Sequence, residues 1–315
     1  KGNLNRYHIR YLVIDEFDKC LEMGFQDEMS RLVKSLPGLR RHFLLSATEA
    51  EEIPRFVHMG RVEKIDYRMD EEQVPERVHI YKVESPVKDK LESLGMLLRS
   101  LGDQSTIVFL NYRDSVERTN KYLVEQGFST SFFHGGLEQK EREASLYRFS
   151  NGSANILVST DLASRGLDIP DIDNIIHYHM PESEDGYIHR VGRTARWEAQ
   201  GRAFFLLGPE EHIPDYVDAE VEDYEIPAVE ELPMPAKPKM ATLYIGKGKK
   251  DKISKGDILG FLCKKGGLNS SEIGKIDVND RYAYAAIARP KLRSVLNKVK
   301  GEKIKGVKTI VEEVR

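Results

Sequence analysis

Short apolar, β-branched runs alternate with amphipathic stretches along the middle of the chain, and this alternation constrains the fold more than any other feature. Strand-like runs occur at 105–110, 129–133, 155–159, 173–178 and 202–207, with helical patterns between them such as 114–126 and 138–150. Such alternation is typical of a parallel sheet with helices on both faces. Because ligands collect at the carboxyl ends of parallel strands, polar residues just after these runs are the candidates for a binding site.

The flanking segments divide the chain further. Two strand-like runs, 9–14 and 43–45, come earlier, and ten Asp and Glu residues lie between positions 210 and 231 with prolines up to position 238. We interpret 209–240 as a terminal helix or strand followed by an acidic, proline-rich linker, which we place at 216–240. The resulting prediction is a partial α/β domain over 1–72, a complete α/β domain over 73–215 and a small α+β domain over 241–315.

The charge of the chain is distributed unevenly. From residue 237 onward there are 20 Lys and Arg residues against 8 Asp and Glu, whereas the rest of the chain has 28 against 43. A basic domain on an acidic body indicates a polyanionic partner, usually nucleic acid, although a solvated lysine-rich surface has the same composition. The two distant cysteines, Cys20 and Cys263, exclude a disulfide framework or a zinc ribbon and fit a cytoplasmic protein. No apolar run is long enough to cross a bilayer.

Acidic and hydroxyl residues directly follow the two early runs. Asp15-Glu16-Phe17-Asp18 follows the first run, and Ser46-Ala47-Thr48 follows the second. An acidic pair after a strand can hold a nucleotide-bound Mg²⁺, largely through water, and can orient or deprotonate an attacking water. A helix cap or a solvated turn uses the same residue types, so these motifs alone do not decide the function.

Two later clusters combine glycine with residues suited to phosphate. His134-Gly135-Gly136 precedes Gln139 and Arg142, and the second cluster runs from Ser159-Thr160-Asp161 to Gly166-Leu167-Asp168. Glycine lets a backbone approach a phosphate closely, while the hydroxyl, arginine and carboxylate groups suit phosphate and ribose. For the first cluster, the alternative is a turn followed by a helix start.

A third cluster, 187–196, carries Arg190, Arg193 and Arg196 at intervals of three. This spacing predicts that the three arginines lie along one side of a helix. Like charges on one side repel one another unless an anion neutralises them, and arginine fingers stabilise the charge on a transferred phosphoryl group in this way. A solvated helix face is the alternative interpretation.

In their order and spacing, these motifs resemble those of the DEAD-box helicases of superfamily 2, over residues 1 to about 215. DEFD resembles the Walker B motif, SAT resembles motif III and IVFLNY resembles motif IV. The HGGLEQKER, STDLASRGLD and HRVGRTAR segments resemble the later motifs. The resemblance implies RecA-like domains and an ATP-dependent RNA helicase that uses ATP and Mg²⁺.

The resemblance also implies a role for each matching residue. Asp15 and Glu16 would hold Mg²⁺, largely through water, and Glu16 would also activate the attacking water. Arg193 and Arg196 would act as the arginine fingers. The residues that would couple the ATP site to domain closure are Asp18, Ser46, Thr48, His189 and Arg190. Gly166 and Asp168 would contact the nucleotide, and the residues that would contact RNA are His134, Gly135, Arg142 and Thr160.

The sequence departs from the family pattern in three ways. Phe17 stands where the family has alanine, and Ala195 stands where it has glycine. Neither change removes a predicted ligand. The third departure is larger, because the chain contains no GxxxxGK(S/T) loop and no adenine-binding glutamine motif. We therefore expect a truncated helicase that does not hydrolyse ATP by itself.

The C-terminal segment has aromatic and basic features of its own. Tyr244, Tyr282 and Tyr284 occur in strand-like segments that resemble the motifs of an RNA-recognition module, and we predict that they form a base-stacking platform. Packing of these tyrosines against a neighbouring element is the alternative. The lysines predicted to bind RNA are Lys247, Lys249, Lys250 and Lys252.

The segments GKGKKDKISKGDILG, IGKIDV and GEKIKG resemble the C-terminal domain of the DbpA group of DEAD-box proteins. This resemblance implies that the domain binds a hairpin of large-subunit ribosomal RNA and that the protein acts on pre-ribosomal particles. Two other functions stay open at this stage. One is an RNA chaperone without helicase turnover, and the other is a DNA helicase of the same superfamily.

Overall fold

The computed structural model describes residues 5–17, 20, 25–46, 63–65, 77–161, 172–194 and 200–314. The chain divides into two compact units, Lys1–Glu72 and Gln73–Arg315.

In the first unit, two short strands pair in parallel. They are β1 (Tyr11–Ile14) and β2 (Arg41–Leu44), and helix α1 (Gln26–Lys34) lies between them in sequence. Phe17 is wholly buried and packs in a small core with Met29. The phenylalanine that departs from the family pattern is therefore a core residue, and it leaves the preceding acidic pair outside the core.

The second unit begins with a seven-stranded sheet whose neighbouring strands all run in parallel, in the order β5-β6-β4-β7-β8-β3-β9. Its strands are β3 (Val78–Glu84), β4 (Thr106–Phe109), β5 (Thr130–Phe133), β6 (Ile156–Ser159), β7 (Asn174–His177), β8 (Gly201–Leu207) and β9 (Val221–Asp223). Its helices are α2 (Leu91–Leu101), α3 (Arg113–Glu125), α4 (Gln139–Ser150) and α5 (Glu184–Val191).

Burial explains why this sheet forms. Every residue of β4, β6 and β7 is buried, as expected for parallel strands covered on both faces. Leu94, Leu97 and Leu101 place apolar side chains at helical spacing on α2, and all three are buried. Two apolar clusters form on the sheet. The predicted α/β fold is confirmed.

Two strands of this sheet were not predicted. β3 was missed because Val78–Glu84 mixes polar residues among its apolar ones. β9 lies inside the segment that we interpreted as a linker, and the linker interpretation is wrong for its first part. Val221 pairs with Ile80, and Tyr224 packs edge-on against Phe204. Aromatic packing and strand pairing therefore hold this acidic segment on the domain.

The C-terminal part folds as a four-stranded antiparallel sheet in the order β11-β12-β10-β15. The strands are β10 (Met240–Ile245), β11 (Ile273–Val278), β12 (Ala283–Ala288) and β15 (Val311–Glu313), with helices α6 (Lys255–Lys264) and α7 (Leu292–Val299). A small hairpin of β13 (Lys303–Ile304) and β14 (Val307–Lys308) precedes β15. Apolar side chains of the sheet and both helices form one core, which confirms the predicted α+β domain. None of the helices in the described ranges is both long and apolar enough to span a membrane.

Candidate functional site

The acidic pair of the first unit lies at the carboxyl end of β1. Asp15 is exposed and Glu16 is half-buried, and the Asp15 Oδ1 atom accepts a hydrogen bond from the Glu16 backbone N–H at 3.0 Å. Glu16 has a φ of 49°, so the chain turns sharply directly after the strand. The Phe17 backbone N–H donates to the Leu45 carbonyl at 3.0 Å, which ties this turn to the residue before Ser46.

These residues fit a metal ion held mainly by nucleotide and water. No cluster of three or more His, Cys, Asp and Glu side chains occurs within the described ranges. Mg²⁺ in phosphoryl-transfer sites usually has one or two carboxylates and keeps several waters. An accessible pair at a strand end suits that arrangement, whereas it could not supply a full protein cage.

In the second unit, Arg190 is the centre of a buried network on α5. Its side chain is fully buried, and its Nε and Nη2 atoms donate to the two carboxylate oxygens of Asp161 at 2.5 and 3.0 Å. Nη1 donates to the His179 carbonyl and Nη2 to the Asn111 Oδ1 atom, both at 2.8 Å. A bidentate pair with further acceptors satisfies a buried guanidinium. Arg190 thereby joins three strand ends, after β4, β6 and β7, to one helix.

His177 lies beside this network at the end of β7. Its ring is stacked on Phe205 with centroids 4.6 Å apart, and its Nδ1 atom lies 3.5 Å from Arg190 Nη1. Burial lowers the pKa of His177 well below its usual value, and the nearby Arg190 charge lowers it further. The imidazole is therefore neutral at physiological pH and serves as packing.

Arg190 and Arg193 do not lie along one side of a helix, so the prediction is wrong for these two residues, and Arg196 lies outside the described ranges. Helix α5 ends at Val191, and the Arg193 backbone N–H donates to the Arg190 carbonyl at 3.2 Å in the turn that follows. The Arg193 carbonyl then accepts from Ile172 N–H at 3.2 Å. The helix ends before Gly192, so Arg193 lies in a half-exposed turn while Arg190 is buried in the core. On the same helix, His189 Nε2 lies 3.2 Å from Asp185 Oδ1.

The predicted RNA-contacting residues meet where β5 and β6 end side by side. Thr160 is half-exposed after β6, and its backbone N–H donates to the Phe133 carbonyl at 3.2 Å. Gly135 is exposed in the turn after β5, and Arg142 is half-exposed on α4. The structure therefore brings together three of the residues that the sequence motifs predict to contact RNA.

His134 differs from this group because it is only 3% exposed. Its Nδ1 atom accepts a hydrogen bond from the Gly136 backbone N–H at 3.1 Å, so the ring proton is on Nε2, which lies 3.2 Å from Glu117. The buried ring therefore supports the turn that carries the exposed glycines, and direct contact between His134 and RNA stays a prediction.

Several predicted residues lie outside the described ranges. They are Asp18, Thr48, Gly166, Asp168 and Arg196. Ser46 is described at the end of the first unit's second strand and is exposed.

The three tyrosines of the C-terminal domain form a cluster on one face of its sheet, as their spacing predicted. Tyr244 and Tyr282 are stacked with centroids 5.8 Å apart, and Tyr282 meets Tyr284 edge-on at 5.3 Å. This face is not open, however, because helix α4 of the parallel-sheet domain packs on it. Tyr284 is only 3% exposed and stacks on Tyr147 of α4 at 5.0 Å.

Polar contacts accompany this packing. The Tyr282 hydroxyl donates to Glu143 at 2.5 Å, the Tyr147 hydroxyl donates to the Lys275 carbonyl, and Lys140 lies 5.3 Å above the Tyr244 ring. Burial raises the pKa of Tyr284 to about 12, and the Glu143 carboxylate adds to this. Tyr284 therefore packs against a neighbouring element, as in the alternative interpretation, whereas Tyr244 and Tyr282 are half-buried and their stacking on bases stays a prediction.

A second group of contacts extends the interface away from the tyrosines. The Asn151 amide donates to the Thr242 hydroxyl at 2.9 Å, and that hydroxyl donates to Ser153 at 2.8 Å. Arg289 donates to the Ser153 carbonyl at 3.2 Å. Sequence reasoning had no signal for these partners because Glu143, Tyr147 and Asn151 occupy ordinary positions on a helical pattern.

The predicted RNA-binding lysines remain at the surface. Lys249, Lys250 and Lys252 are exposed in the segment between β10 and α6, and Lys247 is half-exposed. Lys250 lies 3.5 Å from Asp280, and Lys247 lies 3.1 Å from Asp251. Lys305 lies at the tip of the β13–β14 hairpin, where its φ of 53° and that of Gly306 of 81° form a tight two-residue turn. Its ammonium group donates to the Lys252 carbonyl at 3.2 Å, which joins the hairpin to the lysine segment.

Comparison with known proteins gives three family matches along the chain. Residues 2–56 match the DEAD/DEAH box helicase model, residues 89–198 match the helicase conserved C-terminal domain, and residues 242–313 match the DbpA RNA binding domain. An ATP-dependent RNA helicase DbpA from Escherichia coli is 34% identical, with 97% of this chain and 68% of that protein covered. Its namesake from Bacillus subtilis is 30% identical, with 97% and 70% covered.

A solved structure shows the same fold at lower identity. The S. cerevisiae protein Dbp5, bound to RNA and ADP BeF3, has a TM-score of 0.56 and 24% identity, covering 69% of this chain and 59% of that one. Together with the strand-end motifs, these matches define the class: the chain belongs to the DEAD-box ATP-dependent RNA helicases. Within that class it is of the DbpA type, with a DbpA RNA-binding domain following the helicase domains.

Proposed function

We propose that this helicase remodels structured large-subunit ribosomal RNA during ribosome assembly in the cytoplasm. The observation that carries the proposal is the lysine-rich surface of a DbpA-type domain that is held firmly on the second unit's parallel-sheet domain. An RNA element bound by these lysines would lie near α4, the helix that begins after the Gly135 turn, because Lys249 lines the same cleft as Glu143 of α4. The cysteines Cys20 and Cys263, which form no disulfide, fit a reducing compartment.

The proposed catalytic roles follow the chemistry of the strand-end residues. ATP with Mg²⁺ supplies the phosphoryl group whose hydrolysis drives the cycle. When Mg²⁺ and ATP are bound, Asp15 would hold the metal ion through water, and Glu16 would orient or deprotonate the attacking water. Arg193 and Arg196 stabilise negative charge on the γ-phosphoryl group.

The residues proposed to couple the ATP site to domain closure connect one secondary-structure element to another. Arg190 fixes α5, and the turn that carries Arg193, to the end of β6, where Thr160 lies next to Asp161. RNA bound at Thr160 and phosphate bound at Arg193 would therefore both act on the buried Arg190–Asp161 ion pair. We assign Asp18, Ser46, Thr48 and His189 to the same coupling, and Gly166 and Asp168 to the nucleotide.

The catalytic proposal is tested with Glu16→Gln in a chain that also carries a phosphate-binding loop. We expect loss of ATP turnover with ATP-dependent RNA binding retained, because the glutamine keeps the shape but cannot take a proton. Full turnover in this variant would refute the role of Glu16. The chain as given, which has no GxxxxGK(S/T) loop, is expected to show no ATPase activity.

The RNA proposal is tested with the chain as it exists. Binding of a large-subunit ribosomal RNA hairpin is measured by fluorescence anisotropy at several salt concentrations. The Lys250→Ala/Lys252→Ala/Lys305→Ala variant should bind RNA more weakly than the unaltered chain. The slope of log K against log salt concentration should become shallower by about 0.9 for each phosphate charge that the protein no longer neutralises. Lys121→Ala, an exposed lysine on α3, is the matched control. An unchanged slope in the triple variant would contradict the lysine surface as the RNA anchor.

A further inference from the structure

The segment that leads from β9 to β10 crosses the surface of the parallel-sheet domain as a strap, which we define as residues 228–239. The structure describes the whole strap, and apart from a 3₁₀ turn at Val229–Glu231 it has no regular secondary structure. Pro233, Pro235 and Pro238 have no backbone N–H, so the strap cannot pair as an inner strand. Its backbone carbonyls therefore depend on donors from other parts of the chain.

Arg99, in the last turn of α2, supplies donors to one end of the strap. Its Nε atom donates to the Pro233 carbonyl at 2.7 Å, and its Nη2 atom donates to the Leu232 carbonyl at 2.6 Å. Nη2 also donates to the Val229 carbonyl, at 3.4 Å. Because the donors of a guanidinium lie in one rigid plane, they hold several carbonyls in a single arrangement. One side chain thus attaches three strap residues to the end of α2.

Apolar packing contributes little at this end of the strap. Within 228–237, Leu232 is the only buried residue, and Met234 is 80% exposed. A cleft of about 650 Å³ is lined by Met234 and Pro235 on the strap side and by side chains of α2 and α3 on the other. Since little apolar surface is buried here, the hydrogen bonds of Arg99 determine the path of the strap.

The other end of the strap is attached to both domains. The Lys237 ammonium group donates to the Gly127 carbonyl, just after α3, at 2.8 Å. From the C-terminal domain, the Arg289 Nε atom donates to the Pro238 carbonyl at 2.9 Å. Strand β10 begins two residues later. A shift of the strap would therefore move the first strand of the C-terminal sheet.

We propose that Arg99 is a positioning residue for RNA remodelling. By fixing the strap, it sets the orientation in which the C-terminal domain presents bound RNA to the parallel-sheet domain. The packing of the tyrosine face on α4 is a second attachment between the same two domains. Two separate attachments define an orientation, whereas one alone leaves the domains free to rotate about it. This inference rests on the proposed anchoring of RNA by the C-terminal lysines.

The first measurement is the distance between the two domains by double electron–electron resonance. Spin labels are attached at Lys121→Cys on α3 and at Ser294→Cys on α7, two exposed positions. Both native cysteines are replaced, by Cys20→Ala and Cys263→Ala, so that each label has one site. The width of the distance distribution reports how firmly the domains are held together.

Arg99→Met keeps the length of the side chain and removes its donors, and we expect it to broaden the distance distribution. Arg118→Met, which breaks a surface pair with Asp89, is the control and should leave the distribution narrow. Lys237→Met removes an exposed attachment without altering a helix, and it should broaden the distribution to a smaller extent even if Arg99→Met folds poorly. Unchanged distributions in Arg99→Met and Lys237→Met would overturn the proposal, and Arg99 would then only stabilise the fold.

The second measurement is RNA unwinding by a chain that also carries a phosphate-binding loop. A short duplex is supplied either joined to a large-subunit ribosomal RNA hairpin or free. We expect Arg99→Met to reduce the rate advantage of the joined duplex about threefold or more, because a looser tether lowers the effective concentration of the duplex. Hairpin affinity and unwinding of the free duplex should stay as in the unaltered chain.

An undiminished advantage of the joined duplex in Arg99→Met would contradict the positioning role. Failure of the unaltered chain to bind the hairpin would instead contradict the proposed function.

Discussion

The parallel-sheet domain and the C-terminal sheet both bury residues of the motifs that the sequence analysis singled out. In the parallel-sheet domain one such residue is Arg190, which is enclosed by Asp161, Asn111 and a backbone carbonyl. In the C-terminal sheet one such residue is Tyr284, which is enclosed by Tyr147 of the neighbouring domain. In both domains the groups that stay accessible are neighbours of the buried one, namely Arg193 and the lysines near Lys250. Motif residues thus divide into those that join elements and those that face a ligand.

The largest effect should come from breaking the buried ion pair. Asp161→Asn leaves the fully buried Arg190 guanidinium without its carboxylate partner, and we expect a loss of about 3–5 kcal/mol in the free energy of unfolding. Arg118→Met breaks an Arg–Asp pair of the same 2.5 Å length that lies at the surface, and we expect it to lose less than about 1 kcal/mol. Urea unfolding of both variants makes the comparison. Equal losses would show that burial does not distinguish the two pairs.

The docked tyrosine face should give the next largest effect. Tyr147→Ala removes the ring that stacks on Tyr284, and we expect a loss of about 2 kcal/mol at the interface with a measurable separation of the two domains. Small-angle X-ray scattering detects the separation as a larger radius of gyration. Tyr112→Ala, which removes a 62% exposed tyrosine of the same domain, should leave the radius unchanged. Expansion in both variants would rule out a specific role for the stack.

Acidification should then weaken the parallel-sheet domain through His177. Because the folded state lowers the pKa of this histidine, its contribution to stability is complete above the unfolded value near 6.5 and is lost as the pH falls below that value. One proton taken up on unfolding corresponds to a slope of about 1.4 kcal/mol per pH unit. Urea unfolding across this pH range should show the slope in the unaltered chain and in His79→Gln, whose residue is exposed, but not in His177→Gln. If the His177→Gln variant keeps the same pH dependence of the free energy of unfolding, groups other than His177 cause it.

The smallest effect on stability should come from the surface lysines. Lys250→Ala/Lys252→Ala/Lys305→Ala changes three exposed side chains, and we expect a change within about 0.5 kcal/mol per substitution in the free energy of unfolding. A much larger loss in urea unfolding would mean that these lysines hold the fold, and their effect on RNA binding would then be indirect.

The same division explains what could be predicted from the sequence. The strand runs 155–159 and 173–178 were predicted because parallel strands that are buried on both faces are apolar throughout. Strand β9 was missed because it is only three residues long and its acidic residues are exposed, which leaves few apolar positions, such as Val221, to signal a strand. The motif residues were found by order and spacing, yet spacing could not show that α5 would end before Arg193. The docking of α4 on the tyrosines was not predictable because it depends on tertiary contacts between distant segments.

The central claim is that RNA meets the lysine surface while the tyrosine face remains docked on α4. Lysine acetylation and hydrogen exchange, read by mass spectrometry with and without the ribosomal RNA hairpin, test this claim most directly. We predict protection of Lys250, Lys252 and Lys305 from acetylation by RNA, with unchanged exchange in β12 and α4. Protection of β12 together with faster exchange in α4 would show that RNA displaces the helix and binds the tyrosines, which would contradict the claim.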